Sequence, residues 1–230
     1  PARRRPPGGR ALIKADLHMH THFSPDSEMA PEQLVRRCKK VGLTCIAVTD
    51  HNTTEGAFEV RELADFRVII GEEVGTSEGE VTGLFLEETI PRGLTPVETA
   101  KRIKDQGGLV SLPHPFDRFR REVITRPGLE EVLPFADIVE VFNSRNNMDA
   151  DNRKAYEFAE KHGLLTSGVS DAHTTIELGR TYVDMPVFDG TPEGFKTALA
   201  QGTIHGRKMT PLIHAVTTFT KIKKRLLRRR

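Results

Sequence analysis

Asp16-Leu17-His18-Met19-His20-Thr21-His22-Phe23-Ser24-Pro25-Asp26 is the stretch on which the fold turns. An extended apolar run, with Leu12, Ile13, Ala15 and Leu17, leads into it, and Ser24-Pro25-Asp26-Ser27 turns the chain at its end. Successive side chains of a strand face opposite sides. Asp16, His18 and His20 therefore share one face, with two imidazoles aimed at the same point. The turn brings the Asp26 carboxylate back over that point. Two imidazoles and a carboxylate are the start of a metal site. An isolated His-x-His is more often a surface strand, so the decision rests on what recurs downstream.

The pattern does recur. Beyond the opening strand at 11–18, helical periodicity covers 31–41, opened by Pro31 and stopped by Gly42. A buried strand follows at 43–49, then a helix over 53–64, strands at 68–70 and 81–86, and a helix from Thr95 to Gly107. A strand at 109–112, a short helix over 128–134, a strand at 138–142, a helix over 148–162, a strand at 164–169 and a helix over 192–200 complete the alternation. Alternating strands and helices imply a parallel sheet with right-handed crossovers, and this many units imply a β/α barrel. Such a barrel places its working residues just past the C-terminal ends of the strands. His18, His20, His51, Glu73, His114, Asn143, Asp171 and His173 all lie there. Five of the nine histidines fall in this set, and His22, His162, His205 and His214 are given no role.

With Asp26 the donors number nine, more than the roughly four to six that one ion holds. Two or three divalent ions fit better, with Glu73 and Asp171 as bridging carboxylates. The mixed imidazole and carboxylate set suits Mn, Zn or Fe. Clustered divalent ions lower the pKa of a water molecule and clamp the oxygens of a transferring phosphoryl group. Arg145, two residues past Asn143, is the first choice to hold a substrate phosphate. Arg118, Arg120 and Arg121 follow His114, and Arg180 follows the last donors. His51 and His173 are the candidates for a general acid.

Composition bounds the alternatives. The chain has 230 residues, 37% hydrophobic and 29% charged, which fits one globular domain over 11–215. No run is long enough to span a bilayer, and the first ten residues have no apolar core of a secretory signal. Cys38 in a helix and Cys45 in a strand make no disulfide framework, and a cytoplasmic setting is expected. The net charge of +2 is unevenly spread: of 34 bases, four lie in 1–10 and seven in 221–230, so the body holds 23 against 32 acids. A basic N-terminal segment (1–10) and a basic C-terminal tail (216–230) are expected, the tail able to touch RNA or an anionic membrane surface.

Asp-Leu-His-Met-His-Thr with Ser-Pro-Asp, Thr-Asp-His-Asn, Glu73, Pro-His-Pro, Asn-Ser-Arg and Ser-Asp-Ala-His, in this order over about 12–185, resemble the motifs of the PHP (polymerase and histidinol phosphatase) domain family. The resemblance implies a distorted (β/α)7 barrel with up to three metals. It implies His18, His20, Glu73 and Asp171 around one, Glu73 and His114 around a second, and Asp26, His51 and His173 around a third. It also implies that Asp50 orients a ligand from behind. Asn143 stands where relatives often carry a ligating His or Cys. Only 28 residues separate His114 from Asn143, less than the nucleotide-phosphatase branch uses for its helical insertion. The expected activity is a metal-dependent phosphoesterase acting on a small phosphorylated substrate or nucleotide. The competing readings are a non-catalytic, metal-stabilised binding or regulatory module and an amidohydrolase-like enzyme cutting a C–N bond.

Overall fold

A computed structural model describes residues 11–227. The basic segment 1–10 and Arg228 to Arg230 lie outside the described residues. The elements are β1 (Leu12–Asp16), α1 (Pro31–Val41), β2 (Cys45–Val48), α2 (Glu55–Leu63), β3 (Arg67–Thr76), β4 (Gly79–Leu84) and α3 (Pro96–Asp105). They continue with β5 (Leu109–Leu112), α4 (Arg126–Val132), β6 (Ile138–Asn143), α5 (Asp149–His162), β7 (Leu165–Val169), β8 (Tyr182–Pro186), α6 (Pro192–Leu199), β9 (Thr203–His205) and α7 (Ile213–Leu227).

The helix signals act as read. In α3, Thr95 and Glu98 cap each other: the Glu98 N–H donates to Thr95 Oγ1 at 3.2 Å and the Thr95 N–H to Glu98 Oε2 at 3.0 Å. α1 ends at Gly42 with φ 79°, a left-handed turn that glycine adopts without penalty. Its Leu34, Val35 and Cys38 face the barrel.

One nine-stranded sheet runs in the order β7-β6-β5-β4-β3-β2-β1-β8-β9 and curls into a nearly closed barrel. β1, β2 and β3 pair in parallel, as do β5, β6 and β7. The expectation of an all-parallel sheet is corrected at β4. It folds back on β3 as a hairpin with Glu73 opposite Thr82 and also pairs antiparallel with β5. The connection from β3 to β4 is two residues, too short for a crossover. β8 and β9 are a further antiparallel extension beyond β1. Between β1 and β7 the barrel closes without a ladder, through a bridge of Met19 to Ala172 and the Ser170 N–H on Asp16 Oδ1 at 3.0 Å.

Strand alternation divides the core. Ile46, Val48, Ile70, Val110, Leu112 and Val139 face the helices. Ala15, Ala47, Ile69, Leu109 and Ile138 fill the barrel near the strand starts, where Phe195 and Leu199 of α6 plug it. One end of the barrel is thus filled with hydrocarbon, and the polar residues collect at the other. The boundary expected at 215/216 falls inside α7, and residues 216–227 of the expected basic tail form most of that helix.

Candidate metal centre

The chain just past the end of β1 carries His18 and His20 to the barrel axis, both fully buried. His18 Nε2 lies 3.0 Å from His20 Nε2, 3.2 Å from Glu73 Oε2 and 3.6 Å from Asp171 Oδ1. His20 Nε2 lies 3.5 Å from Glu73 Oε2 and 3.4 Å from Asp171 Oδ1. His114 Nε2 is 3.0 Å from the other Glu73 oxygen. His51 Nδ1 is 3.3 Å from Glu73 Oε2, and its Nε2 is 3.5 Å from Asp26 Oδ2. His173 Nε2 is 3.4 Å from Asp26 Oδ1. His18, His20, Asp26, His51, Glu73, His114, Asp171 and His173 therefore meet in one cluster. Its backbone is bent to make it: His114, Asp171 and Asn52 have φ of 31°, 52° and 59°, the left-handed region that non-glycine residues seldom occupy.

The outer nitrogens fix the tautomers of His18 and His20. His18 Nδ1 lies 2.6 Å from Glu140 Oε1, and a carboxylate only accepts, so Nδ1 carries the proton there. Ser24 Oγ donates its single hydrogen to Asp50 Oδ1 at 2.7 Å, so it accepts from His20 Nδ1 at 3.0 Å. Neutral imidazoles arranged this way present bare Nε2 lone pairs to each other, with two carboxylate oxygens alongside. Four lone pairs converging on one point require positive charge between them, from a metal ion or from added protons. Asp26 Oδ1 and Asp171 Oδ1 are buried without a hydrogen-bond partner among the described residues. The donor set and its orphaned oxygens fit divalent metal ions. Three subsets bring their ligand atoms within 4.8 Å of one another: His18, His20 and Glu73; His20, His51 and His173; and His51, Glu73 and Glu80.

Without a metal ion the protein places positive charge on His18 itself, at the point where an ion would sit. Burial opposes charge on His18, but Glu140, Glu73 and Asp171 outweigh it and hold its pKa well above the ordinary value. His20 goes the other way, lowered by burial and by the neighbouring His173, His51 and His18. Burial would raise Glu73 and Asp171, yet the imidazoles around Glu73, and Arg120 with His18 beside Asp171, hold both well below the carboxylate range. Burial, with the neighbouring Glu73 charge, raises Glu80.

Asp50 stands behind the centre. It accepts from the Thr21 N–H at 2.7 Å as well as from Ser24, and so fixes the loop that carries His20 to Asp26. α2 reaches this carboxylate closely enough that a Cβ on Gly56 would lie 2.1 Å from Asp50 Oδ2.

Other expected residues take different places. The Asn143 amide bridges Glu140 and Asp171, with Nδ2 3.1 Å from each. Arg145 is buried. Its Nη1 lies against His173 Nδ1, and its Nη2 donates to Thr217 Oγ1 at 3.0 Å. Arg118 turns outward to Asp151 on α5, with Nε 3.0 Å from Oδ1, and lines no part of the cleft. Arg180 is exposed and donates to the Ile176 carbonyl at 3.3 Å. Both follow a strand end in sequence, but their side chains point away from the axis. Arg120 instead reaches in and pairs with Asp171.

Sequence reasoning missed Glu80, Glu140 and His214. Glu80 opens β4, and in an antiparallel strand the start lies at the end where parallel strands finish. Glu140 carried a signal: it is the one acid in the apolar run Ile138-Val139-Glu140-Val141-Phe142. His214 sits on α7, with Nε2 3.0 Å from the Arg145 carbonyl. A cleft of about 530 Å³ leads from solvent to His51, Asp26 and His173, with Arg92, Arg120, Arg121, Arg145 and Lys221 along its walls.

A barrel with one filled end and a histidine–carboxylate cluster at the other defines a metal-centre β/α-barrel protein. The chain belongs to the PHP domain family, whose profile matches residues 16–164, followed by a PHP-associated match over 149–204. It is 38% identical over 175 residues to an uncharacterised protein of Methanocaldococcus jannaschii, covering 74% of this chain and 70% of that one. Among solved structures it resembles a two-domain Bacteroides vulgatus protein containing a predicted PHP-like metal-dependent phosphoesterase. The TM-score is 0.67 and the identity 21%, over 90% of this chain and 70% of that one. It also resembles Endonuclease Q bound to duplex DNA with an abasic lesion, with TM-score 0.64 and 17% identity, over 87% of this chain and 60% of the other.

Proposed function

We propose that this protein is a metal-dependent phosphoesterase, a hydrolase acting on a phosphomonoester or nucleotide at a centre of two or three divalent ions. The carrying observation is the convergence of the His18 and His20 Nε2 atoms with Glu73 and Asp171 oxygens at the floor of a cleft walled by arginines. His18, His20, Glu73 and Asp171 hold one ion. Glu73 and His114, joined by Glu80, hold a second. Asp26, His51 and His173 hold a third. Bound divalent ions supply an activated water and neutralise developing phosphoryl charge.

The remaining work belongs to the side chains. Glu140 and Ser24 keep the protons of His18 and His20 on the outer nitrogens. Arg145 sets the His173 ring, with its guanidinium already committed to Thr217 and His173. Arg92 and Arg121 have no ion pair among the described residues and stand free at the mouth, so they receive the non-bridging oxygens or a second phosphate. With two ions bound and the Asp26 site free, His51 and His173, which face the cleft, are placed to protonate the leaving oxygen; with a third ion between them they hold it instead.

The test is hydrolysis of p-nitrophenyl phosphate and bis(p-nitrophenyl) phosphate by protein loaded with Mn, Zn or Fe. Asp171→Asn is expected to lower kcat about a thousandfold and to reduce metal content by elemental analysis. Protein shown to hold metal that turns over neither ester, nor any phosphorylated metabolite in a screen, would falsify the reading.

A further inference from the structure

α7 packs against the body with its polar side. Ile213, Thr217, Thr220 and Lys224, spaced along one helical face, turn inward, and three of the four are polar. Lys224 Nζ donates to the carbonyls of His22 at 2.6 Å, Ser24 at 2.8 Å and Ser27 at 2.5 Å. The outward face carries Val216, Phe219, Ile222 and Leu226, which are 46, 67, 55 and 60% exposed. A helix docked on a water-facing domain ordinarily hides its apolar stripe. This one displays it, so the stripe is left for another surface.

Charge says which surface. No Asp or Glu follows Glu193, while residues 194–230 carry ten Lys or Arg, of which Lys196, Lys208, Lys221 and Lys223 pair with acids of the body. The rest of the chain holds 24 bases against 32 acids. The partner must therefore be both apolar and anionic. A nucleic acid supplies the charge but gives an aliphatic stripe nothing to bury in. A second copy supplies the apolar face but sets two cationic helices together. The surface of an anionic bilayer supplies both.

We infer that α7 is an interfacial helix that seats the protein on anionic phospholipid. Phe219 and Leu226 enter the acyl boundary, and Arg225 meets the headgroups. Lys223, paired with Glu28 at 2.7 Å, and Lys224 hold the helix to the body. The acidic body is repelled from the same surface, which leaves α7 as the side that lands. The inference stands independently of the phosphoesterase reading.

Flotation of the whole chain with vesicles tests it, using phosphatidylcholine alone and an equimolar mixture with phosphatidylglycerol. The protein is expected to float with the anionic vesicles only and to be released by salt. The double variant Phe219→Ser, Leu226→Ser should bind at least about tenfold more weakly with an unchanged circular dichroism spectrum. Equal binding to both vesicles, no binding to either, or full binding by the double variant overturns the inference. So does an RNA strand that displaces the vesicles and binds the double variant as well as the parent. A dimer in solution that the double variant dissolves would also overturn it, assigning the stripe to a second copy.

Discussion

At the scale of single residues, what matters most is where each proton sits. Glu140 accepts from His18 Nδ1 and also from the His114 backbone N–H at 3.0 Å, so one carboxylate sets the His18 ring and the His114 backbone. Glu140→Gln keeps the shape but can offer an N–H where His18 needs an acceptor. The variant is expected to lose about ten- to a hundredfold in metal affinity, read by competition with a chelator, with its circular dichroism unchanged. Glu72, next to Glu73 but on the opposite face of β3, makes a separate prediction. Burial raises its pKa to about 7, its Oε1 has no hydrogen-bond partner, and its Oε2 accepts from the Ile90 N–H at 2.7 Å. A carboxyl that titrates higher in the folded state than in the unfolded holds its proton longer when folded. Its stabilisation is complete below the ordinary carboxylate value and is lost as pH rises toward 7. Glu72→Gln removes that loss. In urea melts of metal-free protein, the variant should match the parent near about pH 4.5 and exceed it by about 1–3 kcal/mol once Glu72 has ionised.

At the scale of elements, the helices and most strands could be read because their signals are local: Pro31, Thr95 with Glu98, Gly42 and Gly163 punctuate one stretch of chain each. The direction of β4 is not local. Val81 to Leu84 look alike in a parallel or antiparallel strand, and only the two-residue link from β3 decides, which is why Glu80 was missed. α7 escaped for a different reason. Its inward face is polar, so the hydrophobic pattern that marks docked helices points the wrong way there. Among the expected phosphate-binding arginines, position in a strand-end loop did not determine direction: Arg120 turns in while Arg118 turns out. The docking of α7 has a functional consequence. Lys224 ties down the loop that ends in Asp26, and Thr217 holds Arg145. Lys224→Met is expected to lower kcat/KM about tenfold and weaken metal binding, while Lys224→Arg, which can still donate to the carbonyls, recovers part of both. Thr220→Val, on the same inward face, should change neither. Equal loss in all three variants would mean that α7 contributes only stability.

At the scale of the molecule, the barrel is closed at its seam by the parts that carry the metal ligands. β1 and β7 share no strand ladder. What joins them is the His20 N–H on the Ala172 carbonyl at 2.8 Å, Ser27 Oγ on the His173 carbonyl at 2.9 Å, and Ser170 on Asp16. Each of these contacts lies within two residues of a proposed ligand, and Asp26, Glu73, Glu80 and Asp171 place four acids in the same buried volume. Without metal, Arg120 and the imidazoles are what offset this charge; divalent ions held by ligands from both edges would draw the edges together directly. A ligand present at about a thousand times its dissociation constant adds about 4 kcal/mol, or about 10 °C in a domain of this size. Chelation should therefore lower Tm by about that amount. It should also act unevenly: in hydrogen exchange the amides of His20 and Ser170 lose protection on chelation, while those of Ile69 and Ile70 in β3 keep theirs. A loss spread evenly over the sheet would mean that metal stabilises the barrel as a whole instead of closing its seam, and an unchanged Tm would mean that the seam holds without cations.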